Sequence, residues 1–163
     1  MKNNLKKTAL AALPAVLVVT LLQTAAAAAA ESEKAARPNI ILIMADDLGY
    51  GDISCYGSAK IKTPNIDALA KSGMKFTDFH SNGPVCSPTR AALLTGRYQQ
   101  RSGIEHVFPS KGPMREAGLA LEQTTIAEVL KEHGYATALF GKWHLGNNVE
   151  FNPTKQGFDE FRG

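Results

Sequence analysis

Cysteine, surplus charge and long apolar runs are all scarce in this sequence. The 163 residues hold two cysteines, Cys55 and Cys86. That is too few for the disulfide framework that staples small secreted domains. The two could pair, stay free or serve chemistry. The formal charge of +3 is no general surplus. Lys2, Lys6 and Lys7, with no acid among residues 1–30, account for it, and 15 basic and 15 acidic residues remain beyond them. A neutral remainder speaks against a nucleic-acid partner. Beyond residue 31 there is no internal repeat, no low-complexity linker, no apolar stretch long enough to span a membrane and no N-x-S/T acceptor, because Asn152 is followed by Pro153. The composition, 44% apolar and 20% charged, is that of a globular chain.

The first thirty residues have the three parts of a secretory signal peptide. Three lysines precede an apolar stretch from Thr8 to Leu22, and the run Ala25 to Ala30 offers A-x-A cleavage sites. The competing reading, a membrane anchor, needs about 20 apolar residues, more than this run has. No cysteine near the cleavage zone offers a lipid attachment point. The expectation is a signal peptide over 1–30, a polar lead-in over 31–37, and an exported protein, periplasmic or secreted, with no membrane attachment after cleavage. The 133 residues left are enough to bury a core.

Pro38 to Ala45, P-N-I-I-L-I-M-A, is an unbroken apolar run that suits a strand buried on both faces. Thr63-Pro64 reads as a helix start and Gly73 as its end, with Ile66, Leu69 and Ala70 on one face. Met74 to His80 alternates loosely, as a second strand would. Ser87 to Thr95 reads as a helix with Pro88 in its first turn and Gly96 beyond its end. Thr125-x-x-Glu128 is a capping box for a helix closed by Gly134. Tyr135 to Phe140 reads as a strand leading into Gly141-Lys142-Trp143-His144, and Asn147 to Gly163 has little regular pattern. The alternation predicts an α/β domain with a mostly parallel sheet flanked by helices. In such folds ligands sit beyond the carboxyl ends of the strands. Asp46-Asp47 and Lys142/His144 both follow predicted strands, so both should reach that edge.

Cys86-Ser87-Pro88-Thr89-Arg90 carries the most chemistry. Pro88 in a first helical turn puts Cys86 at the helix N-terminus, where free N–H groups and the dipole favour an anion. Arg90, four residues on, lies on the same side. A nucleophilic side chain, a helix N-terminus and a guanidinium together suit a tetrahedral oxyanion such as sulfate or phosphate. Adjacent carboxylates at Asp46 and Asp47 repel each other unless a cation intervenes, and oxygen ligands suit Ca²⁺ or Mg²⁺ rather than zinc.

Cys86 to Arg97, C-S-P-T-R-A-A-L-L-T-G-R, resembles the signature of the sulfatase family. Asn39 to Gly51 resembles that family's first strand and metal-binding turn, and Thr63 to Gly73 its first helix. Gly141 to Gly146, G-K-W-H-L-G, resembles a second block, and Gly157 to Phe161 the segment after it. The resemblance implies an alkaline-phosphatase-like fold, of which residues 38–163 are the N-terminal part, incomplete at the C-terminus. It implies a sulfuric ester hydrolase, arylsulfatase-like, acting on aryl or carbohydrate sulfates. It further implies that a maturation enzyme reads Cys86, Pro88 and Arg90 and oxidises Cys86 to Cα-formylglycine. One hydroxyl of the hydrated aldehyde attacks sulfur and the alcohol leaves; the second then expels sulfate and regenerates the aldehyde, an exit that a serine ester lacks. By the same resemblance Asp46, Asp47 and residue 86 ligate a divalent cation, usually calcium. Arg90 holds the formylglycine, and Lys142 and His144 contact the sulfate oxygens and its hydroxyl.

A complete sulfatase resembles something roughly three times this size or more, beyond the usual domain range. Further metal ligands, a second lysine and another histidine come from a later region. Asp46, Asp47 and residue 86 supply only part of a shell of about six to eight oxygens. The expectation is a fragment or truncated product with weak cation binding and little turnover alone. Two rivals stand beside a sulfatase: a phosphonate or phosphate ester hydrolase with the same tag, and a non-catalytic product that only binds anions. His80, His106 and Cys55 read as structural, His133 as a helix C-terminal residue, Trp143 as packing, and Arg97 and Arg101 as undecided.

Overall fold

The computed structural model describes residues 37–109, 111–112 and 116–163. The expected signal peptide, and residues 31–36 of the lead-in, lie outside them. The chain divides at Ala45–Asp46 into two units. In the first, the described residues 37–45 carry no regular secondary structure and are exposed, Ile41 and Ile43 at 84% and 85%. The strand expected over Pro38 to Ala45 is therefore not formed. An apolar run becomes a doubly buried strand only with partner strands and covering layers, and its own residues cannot supply them.

In the second unit, Asp46–Gly163, the described residues form four helices and two strands, with single 3₁₀ turns at Tyr50–Asp52, Ser54–Tyr56, Val149–Phe151 and Pro153–Lys155. Helix α1 (Pro64–Ser72) starts at the expected proline and ends at Gly73. Its N-terminus is tied down by a polar cluster: Ser54 Oγ donates to Asp67 Oδ2 at 2.7 Å and Thr63 Oγ1 to Asp67 Oδ1 at 3.1 Å. Ile66 and Leu69 on α1 remain exposed. Met74 to His80 forms no strand. The Phe76 carbonyl accepts from Tyr56 OH and Lys75 Nζ reaches the Cys55 carbonyl, so side chains take the place of a ladder there.

Helix α2 (Cys86–Thr95) starts one residue earlier than the sequence suggests and ends at Gly96, whose φ of 64° only glycine adopts readily. Its Ser87, Pro88, Ala91, Ala92 and Leu94 are buried. A short turn, α3 (Gln99–Ser102), follows. Helix α4 (Ile126–Glu132) opens on the expected capping box. Thr125 Oγ1 accepts from Glu128 N at 3.2 Å, and Thr125 N donates to Glu128 Oε2 at 2.7 Å.

Strand β1 (Ala138–Phe140) pairs in parallel with β2 (Glu160–Arg162), Leu139 opposite Phe161. Gly141 N donates to Arg162 O at 2.8 Å, which carries the pairing one residue past β1 and fixes the departure of the Gly141–His144 turn. The β2 strand lies in the stretch where the sequence shows little pattern. The core packs Ala91 and Leu94 of α2 and Ala127 of α4 against Ile104, Phe108, Leu119, Trp143, Leu145 and Phe158. Trp143 therefore packs as expected: its ring is buried edge-on to Phe158, and Nε1 donates to Phe151 O at 2.8 Å.

Candidate functional site

Three segments far apart in sequence converge on the Asp46 carboxylate. Lys142 Nζ donates to Oδ2 at 2.8 Å and Arg90 Nη2 to Oδ1 at 3.1 Å. Arg90 Nη1 also donates to the Lys142 carbonyl at 2.7 Å, so one guanidinium clamps both the acid and the backbone that carries its second cation. The Arg90 side chain is 11% exposed, while Asp46 and Lys142 remain partly open. Arg90 Nε is buried without a hydrogen-bond partner among the described residues. The fork geometry of Arg suits this double task, which a lysine could not perform.

The charges respond accordingly. The Lys142 ammonium, then the Arg90 guanidinium, hold the Asp46 carboxyl below the usual carboxylate range. The Asp46 carboxylate first, and then the Cys86 side chain, push the Lys142 ammonium up, against a desolvation that favours its neutral form. Lys142 is thus a fixed positive charge beside Cys86.

Cys86 is the first residue of α2, half-buried and free, as is Cys55; the two form no disulfide. The ligand atoms of Asp46, Asp47 and Cys86 lie within 4.8 Å of one another. Asp47 takes part in no ion pair among the described residues and sits in the left-handed region at φ 58°. Asp is one of the few residues that accept this conformation. The sulfur of Cys86 is a soft ligand and matches a hard cation poorly. An oxygen at position 86 would make the set all-oxygen, the chemistry of calcium or magnesium.

Among the described residues His144 forms no hydrogen bond to the side chains of this cluster. Its Nε2 lies 3.1 Å from the Phe108 carbonyl, and its Nδ1 is buried without a partner among the described residues. Its φ of 61° is unusual for histidine and costs on the order of 1–3 kcal/mol wherever it persists. The structure therefore brings together Asp46, Asp47, Cys86, Arg90 and Lys142, and leaves His144 beside Phe108. Phe108 carries no sequence signal for a place at the site: H-V-F-P fits no catalytic pattern, and only the fold places its carbonyl there.

Three other candidates make contacts elsewhere. His80 pairs with exposed Asp78 at 2.8 Å, and His133 Nδ1 lies 2.8 Å from the Val129 carbonyl at the end of α4. Arg97 Nη1 reaches Gln123 Oε1 at 3.4 Å.

A family model described as Sulfatase matches residues 38–163. The chain is 52% identical over 132 residues to arylsulfatase A of Homo sapiens and 46% identical over 130 residues to arylsulfatase G of Rattus norvegicus. These alignments cover 79% and 80% of the chain but 25% and 24% of the relatives, so the chain spans about a quarter of their length. Among solved structures, Ps i-CgsB matches with a TM-score of 0.73 at 47% identity, over 77% of this chain and 27% of that one. The same protein in complex with k-i-k-neocarrahexaose matches at 46% identity with the same TM-score.

Proposed function

The chain belongs to the sulfatase family, with the alkaline-phosphatase-like α/β fold of its structural neighbours, and from that premise we propose that it carries the nucleophile and part of the cation site of a sulfuric ester hydrolase. The observation that carries this reading is the hydrogen-bond network of Asp46, Arg90 and Lys142, with the ligand atoms of Asp46, Asp47 and Cys86 clustered at the N-terminus of α2. It supports a tetrahedral oxyanion as the group bound.

Converted to Cα-formylglycine, residue 86 would supply a hydrated aldehyde as nucleophile and replace the soft sulfur by oxygen. Ca²⁺ or Mg²⁺ held by Asp46, Asp47 and residue 86 would supply a Lewis acid for the sulfate oxygens. The chain's own part is positional and electrostatic. Arg90 fixes the Asp46 carboxylate and the Lys142 backbone. Lys142 keeps its proton and offers it to anionic oxygens beside residue 86. His144 presents an imidazole whose Nε2 side is occupied by Phe108, leaving Nδ1 for the reacting group.

The maturation enzyme is a further proposed partner. Pro88 is fully buried and Arg90 nearly so, so an enzyme that reads them has to meet the chain before it folds. Aryl or carbohydrate sulfates are the proposed substrates, in line with the arylsulfatase relatives and the oligosaccharide-bound neighbour. The segment over 1–30 directs export to the periplasm or beyond. The 163 residues alone bind a cation weakly and turn over little, since they provide three ligand side chains.

Mass spectrometry of the peptide around residue 86, after expression in the native host, tests the nucleophile. Formylglycine is the expected species, and an unmodified thiol overturns the reading. Activity on paired sulfate and phosphonate esters separates a sulfatase from a phosphonate or phosphate ester hydrolase. Full-rate hydrolysis of a chromogenic sulfate ester by the 163-residue chain, co-expressed with the maturation enzyme, would contradict its weakness alone.

A further inference from the structure

Ser87 follows the nucleophile position, yet its side chain belongs to none of the contacts around Asp46. It is fully buried, and its Oγ accepts a hydrogen bond from Phe108 N at 3.3 Å. The carbonyl of the same residue, Phe108, lies 3.1 Å from His144 Nε2. A carbonyl oxygen can only accept, so Nε2 must carry the proton. In the neutral ring Nδ1 then holds the lone pair, and this is the nitrogen buried without a partner. One residue, Phe108, therefore links the first turn of α2 to the ring of His144.

We propose that Ser87 is a positioning residue, which acts through the Phe108 backbone to hold His144 as its Nε2–H tautomer with the lone pair on the unpartnered Nδ1. The Phe108 ring is anchored in the core, and Pro109 restricts the Phe108 backbone to extended conformations. Neither contact fixes the rotation of the Phe108 N–H; the Ser87 hydroxyl does. A histidine ring is generally aimed by the hydrogen bond that its second nitrogen makes. Here that bond is to a backbone carbonyl, and the hydroxyl beside the nucleophile steadies it. The left-handed backbone of His144 makes such support necessary, because an unsupported residue relaxes out of that region. What the lone pair does rests on the sulfatase reading; the hydrogen-bond chain does not.

Ring ¹⁵N spectra of the labelled chain, with His144 assigned by loss of its signal in His144→Gln, and hydrogen exchange at the Phe108 amide test the proposal. In the unaltered protein the neutral His144 ring should be Nε2-protonated, and the Phe108 amide protected. Ser87→Ala should speed exchange at Phe108 at least about tenfold, as loss of one buried hydrogen bond allows, and mix the two ring tautomers. Ser87→Thr, which keeps the hydroxyl, should restore both. An Nδ1–H ring or an unprotected Phe108 amide in the unaltered protein overturns the proposal whether or not the variants fold. So does a Ser87→Ala chain that folds with an unchanged His144 ring. These readouts need no turnover: an unmodified Cys86 with the expected ring spectra would sink the sulfatase reading and leave the Ser87 linkage standing.

Discussion

The Lys142 ammonium lies 2.8 Å from Oδ2 of Asp46, across 96 residues of sequence, and the Cys86 side chain adds to the influence that keeps it protonated. The lysine thus stands between a proposed cation ligand and the nucleophile, and its charge has opposite effects on the two. It competes with a cation for Asp46, yet would steady the oxyanion formed at residue 86. Lys142→Ala should therefore tighten Ca²⁺ binding, by less than about tenfold for so exposed a pair. In a preparation active on a sulfate ester it should lower kcat by about 10²–10³, the usual cost of one lost oxyanion partner. Calorimetric titration with Ca²⁺ beside steady-state kinetics checks both signs, and weaker Ca²⁺ binding in Lys142→Ala would contradict the competition.

Asp46→Asn and Asp47→Asn separate ligation from ion pairing. If both carboxylates hold the cation, added Ca²⁺ raises the thermal midpoint of the unaltered chain, and a chelator reverses the rise. At a concentration a hundredfold above the dissociation constant the gain is about 2.7 kcal/mol. Either substitution should abolish the shift. Asp46→Asn should also free Lys142 and Arg90, whereas Asp47→Asn should leave them in place, since Asp47 has no ion pair among the described residues. Differential scanning fluorimetry with and without Ca²⁺ reads the difference.

Local chemistry was legible wherever the deciding atoms are close in sequence. The α4 capping box, Pro64 opening α1, Gly96 closing α2 and Arg90 one turn from Cys86 all follow from spacings of three or four residues. The meeting of Asp46 with Lys142 was legible only in part: Lys142 does follow a strand, but the strand expected before Asp46 is not formed. Strands were the weak point. Ile40 to Met44 and Met74 to His80 have the apolar character of strands, but a strand exists only through its pairing partner, and no partner is encoded locally. The converse holds for Glu160–Arg162, polar at both ends, which pairs because Asp159 is pinned to Thr137 at the base of β1. Phe108 escaped for a related reason: its backbone, which no side-chain pattern reports, makes the contact to His144.

Thr125 is more than a helix cap. It is fully buried, and besides accepting from Glu128 N it donates from Oγ1 to the Gln156 carbonyl at 2.8 Å. Thr125→Ala removes a cap, worth about 1 kcal/mol, and leaves a buried carbonyl unpaired, which costs about 1–3 kcal/mol more. Urea denaturation should show a loss of about 2–4 kcal/mol. Thr125→Ser keeps both hydrogen bonds and should lose clearly less. Equal losses in the two variants would mean that the methyl group, not the hydroxyl, matters.

Acid should weaken this fold through Asp159. Its carboxylate meets Lys131 Nζ at 2.6 Å and accepts from Thr137 N at 2.9 Å and Thr137 Oγ1 at 3.1 Å, which ties α4 and the start of β1 to β2. The Lys131 ammonium first, then the Thr137 amide and hydroxyl, hold its carboxyl down at about 2, against an ordinary 3.8. Between these values the unfolded chain binds more protons than the folded one, so stability falls as pH drops. The contribution is complete above the ordinary value and is lost progressively as pH falls from about 4 to about 2. Asp159→Asn removes the titrating group. It should be less stable than the unaltered chain at pH 7, and its urea midpoint should fall less steeply between pH 4 and pH 2. Lys131→Met should keep part of the slope, because the two Thr137 donors still favour the ionised form. The Lys131 component should also shrink in high salt, since that pair is about half exposed. The Thr137 component should not, so salt and pH together separate the ion pair from the hydrogen bonds that anchor β2 beside the Gly141–His144 turn.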